Sequence, residues 1–519
     1  MNAEGTAQLN AGGVLSPRPA RPGRAPDGLR RLAARVPRRL RLPLGVSLLA
    51  ELVLLVWWLG YYPGLLAYDS IDYSWEVTTG HWIDNHSIAY DACVWLTLRL
   101  TGDFALLTLA QTVVMACILG YLAAGLRAFR VPTGWIVAGT ALTVALPTTG
   151  AFMVWVWKDV PYVIGSALAC AALVHLVADA LRAERYDRRT GARRDWLLLG
   201  TGLLTVCLAR NNGFLAVLLT GVALVAVLHR LWRRVAVAVL VPVLLFAALD
   251  DGLYPALGVT APTDYAGNTF VYADIAYAYS QAPATFSRAD LALMRRVAPL
   301  RHWSTTGADC TATDPLTNEQ FDLAEARRIN TRLVGLLLRV VERTPQTVAE
   351  ATICRGRPAW AVLPGAQPDN VPGTGWNSIL YGFAVSEPSI YRNPYYHVMR
   401  PHPPFPALRA AVNWWYLLLT VQQLRWLVWG GGVWCWLLYG LLFLLARRLR
   451  RWEVLAVGAV TFGLQVSVFT AIPAPLYRYM AAPTMLGVML LPLAFSRRRS
   501  PAVPGRSGHP GRTRRLTGG

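Results

Sequence analysis

"WVWKDVPYVIGSALACAALVHLVADALR", residues 155–182, contains the only lysine of the chain, an acid beside it, and an apolar run closed by arginine. The run at 161–181 has close to the twenty residues a helix needs to cross a bilayer. Its two ends differ. Arg182 opens a basic stretch that continues to Arg194, whereas the other end carries Trp155, Trp157, Lys158 and Asp159. Short arginine-rich connections mark the cytoplasmic side of membrane proteins, and tryptophans collect at the interface. The "WKD" end is therefore read as outer, with Pro161 suited to the first helical turn.

The same rule organises all 519 residues. The chain is 54% hydrophobic and only 15% charged, far from the roughly 25% charged residues of a soluble domain. Apolar runs near membrane length lie at 43–60, 104–126, 132–150, 161–181, 195–209, 213–229, 234–250, 424–446, 453–472 and 479–495. Arginines follow the second (Arg127, Arg130), fourth (Arg182 to Arg194), sixth (Arg230, Arg233, Arg234), eighth (Arg447 to Arg451) and tenth (Arg497 to Arg499). Every even connection is basic, so both termini are expected in the cytoplasm of a multi-pass cell-membrane protein. The charge of +21 is dispersed in these clusters, which argues against a nucleic-acid partner.

The expected fold is a polytopic α-helical membrane protein of about ten transmembrane helices, with a mixed extracytoplasmic domain inserted before the last three spans. Residues 1–42 read as a disordered basic tail, 43–250 as a membrane module of about seven spans, and 251–423 as the outer domain with an interfacial helix. The last three spans occupy 424–495, and 496–519 form a second disordered tail. A helix is expected at 318–345, and Trp414, Trp415 and Tyr416 are expected at headgroup depth. Cys310 and Cys354 both fall in the outer domain, where a disulfide is open to them.

The unusual polar residues collect on the odd connections. The first holds Asp69, Asp72, Glu76, Asp84, His81 and His86 among many aromatics, which suits a partly buried segment; a solvated loop would also carry acids. Asp159 reads either as a helix cap or as a functional acid, and Lys158 either as a snorkelling anchor or as a phosphate ligand. "ARNNGF" places Arg210 and Asn211 at a tight outer turn, and "PAPLYRYMAAP" places Tyr477 and Arg478 at the last one. The short 195–209 run sets Arg210 at or just below the surface, in a cavity rather than in lipid. Guanidinium at both turns fits binding of an anionic phosphate. No P-loop, GxGxxG, HExxH or GxSxG motif occurs.

Four features, "YDSIDYSWE" followed by "DNHS", then "WKD", "RNNG" and the late "RY", resemble the GT-C class of polytopic glycosyltransferases that use polyprenyl-phosphate sugars. The resemblance covers roughly 43–229 and 424–495; where many relatives have a His-Pro dipeptide, this chain has "NHS" at 85–87. It implies inverting transfer of a sugar, mannose favoured, to a hydroxyl of a glycan, a protein or an exported metabolite at the outer face. Asp69, the acid nearest the first span, would be the base, with Asp72, Asp84 and His86 as secondary candidates. Asp159 would orient Lys158 or the acceptor, and Lys158, Arg210, Asn211, Tyr477 and Arg478 would hold the donor phosphate. A divalent metal, Mg or Mn, is left open. The competing readings are a flippase of lipid-linked sugars, and a surface-glycan polymerase or ligase relying on Arg355 or His397.

Overall fold

The computed structural model describes residues 37–84, 86–182, 192–261, 268–310, 316, 320–362, 395 and 401–497. The tails beyond these, the basic 183–191 connection and His397 lie outside the described residues. Residues 42–519 form one compact unit; of the other, Met1–Arg41, only the last few residues are described, and they begin the first helix. That helix starts at Arg38, inside the stretch expected to be a disordered tail.

The membrane module consists of α1 Arg38–Gly60, α2 Tyr68–Thr79, α3 Ile88–Thr101, α4 Ala105–Ala128, α5 Thr133–Ala145, α6 Asp159–Arg182, α7 Arg193–Ala209, α8 Gly213–Val227 and α9 Trp232–Ala248. Six helical stretches are long and apolar enough to cross a membrane: α1, α4, α6, His229–Ala256 around α9, Gly431–Leu449 and Trp452–Ala471. Thr133–Ala145, Gly213–Val227 and Ala481–Phe495 are apolar but shorter. Every expected span thus coincides with a helix, yet only six reach spanning length. Outward faces are apolar: Leu48 and Leu52 on α1 and Leu244 on α9 are well exposed. Such a surface would aggregate in water, and with these helices it makes the chain an α-helical membrane protein.

Helix α6 is the axis, with 83% of its apolar stretch buried. It runs against α7 with no side chain between them at Gly165 and Gly202. A Cβ on Gly202 would lie 2.6 Å from the Gly165 carbonyl oxygen. This close approach sets the register that brings the start of α6 to the end of α7.

The region 268–362 is helical rather than mixed, with no strand among its described residues: α10 Thr269–Gln281, α11 Arg288–Arg295, α12 Leu300–Gly307, α13 Leu323–Arg328, α14 Asn330–Arg343 and α15 Pro345–Arg355. The single helix expected at 318–345 is therefore two, broken at Ile329. Tyr272, Ile275, Met294, Trp303, Phe321, Leu333 and Leu336 give this region its own core. A disulfide joins Cys310 to Cys354, and a buried pair joins Arg355 to Asp274 at 2.8 Å. Arg355 is thus committed to the domain interior. The chain returns through α16 Pro406–Leu418 and α17 Gln422–Val428 to α18 Gly431–Leu449, α19 Ala459–Ala471 and α20 Ala481–Leu490. Trp414 is exposed, whereas Tyr416 is buried against Trp429.

Candidate functional site

Ser70 organises the first part of the site. Its hydroxyl accepts from the Ala67 amide at 2.8 Å, closing the start of α2, and donates to the Val156 carbonyl at 2.6 Å. An isolated bridge pairs Leu65 with Trp155, with Leu65 N–H on Val154 O and Val156 N–H on Leu65 O, both at 2.8 Å. The buried Gln111 amide on α4 donates to the carbonyls of Met153 and Trp155. These bonds hold the 61–67 and 146–158 connections edge to edge, so Asp69, in the first turn of α2, stands beside Lys158.

Four polar contacts follow. Arg478 Nη1 donates to Asp69 Oδ2 at 2.7 Å, across 409 positions of chain. Lys158 Nζ lies 2.9 Å from His86 Nδ1, and His86 Nε2 lies 3.6 Å from Asp72 Oδ2. An ammonium has no lone pair, so Nδ1 accepts and Nε2 carries the imidazole proton toward Asp72. Arg210 donates from Nε and Nη2 to Asp159 Oδ1, both side chains being buried. Asp159 is therefore neither a simple helix cap nor turned to Lys158; its partner is Arg210.

Aromatic rings frame the guanidiniums. Arg210 lies over Tyr162 at 4.9 Å and over Tyr479 at 4.6 Å, and Arg478 lies over Trp157 at 5.6 Å and Tyr479 at 5.4 Å. Tyr479 is shared by two like charges, an arrangement that favours an anion between or beside them. Two buried donors here, Arg478 Nε and Trp157 Nε1, have no hydrogen-bond partner among the described residues, nor has the acceptor Asp159 Oδ2. Buried donors left unpaired are costly and mark places where a ligand atom belongs.

Burial pushes the Asp69 carboxyl upward, but Arg478, with His86 and Lys158 behind it, outweighs burial and holds it below the usual carboxylate range. Burial lowers the Lys158 ammonium, opposed by Asp69 and Asp159. It also lowers His86, helped by Lys158 and opposed by Asp72. Four other acids go the other way. Burial raises Asp72, Glu76 to about 7, and Asp84 to about 8 with Asp250 beside it. Asp91 in α3 is fully buried, neither carboxylate oxygen has a hydrogen-bond partner among the described residues, and burial raises it strongly.

Glu76 gives a direct check. Between the ordinary carboxyl value and about 7, the folded protein keeps a proton that the unfolded chain has lost, so stability falls as pH rises through that window. Glu76→Gln is expected to raise Tm over the parent at roughly pH 8 and to match it at roughly pH 4. An equal change at both values would show that ionisation at this position has no bearing on stability.

Of the residues singled out in the sequence, Asp69, Asp72, His86, Lys158, Asp159, Arg210 and Arg478 form one cluster. Asn211 sits at its rim, its amide donating to the Asp84 carbonyl at 3.1 Å. Tyr477 is not brought to it: the ring is buried against Phe152 and Trp429, with the hydroxyl 3.4 Å from Thr148 O. Tyr479 occupies the place expected of Tyr477. Sequence reading also missed Ser70, Tyr162 and Asp91; Asp91 had a signal, a lone carboxylate among apolar residues in "SIAYDAC".

The site does not fit a divalent metal. No three of His, Cys, Asp and Glu converge as ligands among the described residues, and Asp69 and Asp159 each face a guanidinium. No family model, curated protein or solved structure matches the chain.

Proposed function

We propose that the chain is a membrane glycosyltransferase that moves a sugar, mannose favoured, from a polyprenyl-phosphate donor to a hydroxyl acceptor at the outer face, with inversion. The observation that carries this reading is a carboxylate, Asp69, in contact with a guanidinium, Arg478, whose Nε and neighbouring Trp157 Nε1 are buried without hydrogen-bond partners among the described residues. A phosphodiester oxygen would satisfy both donors. Lys158 and Arg210 add positive charge to the same cluster, where the leaving phosphate gains a second negative charge.

In this mechanism the acceptor oxygen attacks the anomeric carbon from the face opposite the phosphate. The new C–O bond forms as the sugar–phosphate C–O bond breaks, the lipid phosphate departs, and Asp69 takes the hydroxyl proton. Donor phosphate competes with Asp69 for Arg478. Binding thus loosens the pair that depresses Asp69 and raises its proton affinity when a base is required.

The test is transfer of label from polyprenyl-phosphate mannose in membranes containing the protein. Formation of a new glycosidic linkage supports the reading, and movement of intact donor across the bilayer would replace it with a flippase. Arg478→Gln tests the linkage between the pair. A base works only when ionised, so activity is lost as pH falls through its pKa. Removing the guanidinium should move the acid limb of kcat/KM upward and raise the donor KM. An acid limb that stays in place would separate Arg478 from Asp69.

A further inference from the structure

The opposite end of the bundle carries a second concentration of chemistry that the reaction does not use. Helices α4 and α6 each run 24 residues away from the Asp69 cluster, about 36 Å at 1.5 Å per residue. Where they end, a cavity of about 680 Å³ opens. Arg127 lines it from the last turn of α4, Arg130 from the turn that follows, and Arg182 from the last turn of α6. Arg448, Arg450 and Arg451 reach it from the end of α18, and Arg497 from beyond α20. Two carboxylates answer them among the described residues: Asp179 pairs with Arg182 at 3.1 Å and Glu453 with Arg451 at 3.3 Å. Arg130, Arg448, Arg450 and Arg497 have no ion-pair partner there.

The chain leaves α4 and α18 through left-handed residues that close the helix ends, with Val131 N–H on Leu126 O and Arg451 N–H on Ala446 O. Arg130 and Arg450 have φ of 62° and 56°, the only non-glycine residues in the left-handed region among those described. Glycine takes that conformation freely, whereas a side chain is strained in it. Both strained positions line the same cavity, and both carry guanidinium.

We propose that this cavity is a binding site for an anion bearing two or more phosphates. A single phosphate would leave most of the volume and most of the guanidiniums unused, and planar guanidinium suits paired phosphate oxygens. The chemistry is shared by the headgroup of a diphosphatidyl lipid and by a soluble pyrophosphate. The inference is independent of the proposed transferase activity.

The experiment follows the Tm of the full chain in nanodiscs of phosphatidylcholine alone, of phosphatidylcholine with cardiolipin, and of phosphatidylcholine with added inorganic pyrophosphate. Selective binding raises Tm. A rise with pyrophosphate assigns the site to a soluble anion, and a rise with cardiolipin alone assigns it to a headgroup. The variant Arg130→Gly with Arg450→Gly should keep or exceed the parent Tm without ligand, because glycine relieves the strain, and should bind at least about tenfold more weakly. Arg448→Gln with Arg497→Gln should weaken binding without touching those backbone positions, and decides the matter if the glycine pair unfolds. Equal responses of parent and variants, or no rise beyond phosphatidylcholine alone, overturn the proposal.

Discussion

Asp69→Asn is expected to lower sugar transfer by about a hundredfold to ten-thousandfold, the usual contribution of a positioned general base, without preventing folding. Asparagine keeps an oxygen that Arg478 Nη1 can reach, so the start of α2 and the bond from Ser70 to Val156 should survive. What it loses is the charge and the capacity to take a proton. The measurement is label transfer from polyprenyl-phosphate mannose at matched protein levels, with donor binding followed separately. Retained transfer would remove Asp69 from the chemistry. Lost transfer with lost donor binding would make it a structural partner of Arg478 instead.

The second large effect concerns the pair between α6 and α7. Arg210→Ala leaves Asp159, 1% exposed, as an uncompensated buried charge and should destabilise the protein by about 3–5 kcal/mol. Asp159→Asn combined with Arg210→Gln should recover part of that loss, because neither partner is then left charged alone. Thermal denaturation of the detergent-solubilised variants gives the comparison. If Arg210→Ala melts like the parent while donor KM rises, the arginine serves the phosphate and the pair adds nothing to the fold. Destabilisation with an unchanged donor KM would assign Arg210 to the architecture.

The alternation of basic and non-basic connections groups Asp69, Lys158, Arg210 and Arg478 at one end of the bundle from sequence alone, because arginine position and apolar run length both follow from membrane physics. That is why residues 409 positions apart could be grouped. Partner choice was not legible. Asp159 could equally have faced Lys158, its neighbour in sequence, and the close passage of Gly165 by Gly202 turns it toward Arg210 instead. The exchange of Tyr477 for Tyr479 has a similar cause, since a short 3-10 turn over Tyr477–Tyr479 rotates one ring into the core and the other toward the arginines. Hydropathy also overstated several helices. The run at 132–150 ends as a helix at Ala145 and the run at 453–472 begins as a 3-10 segment, because apolar character persists through turns buried in protein. Within 268–362 the helical period at 318–345 was legible, whereas the core that packs it against α10 is a long-range feature with no local period.

Lys158 closes the matter in practical terms. It is the only lysine in a chain with 50 basic residues, and it sits against His86 with its proton affinity lowered by burial. Guanidinium ignores most acylating reagents at neutral pH, whereas a free amine reacts. Apart from the N-terminus, an amine-selective probe has one address on this protein, and that address is the cluster. The chain comes ready for footprinting: under the proposed function, donor phosphate should protect this single residue from the probe.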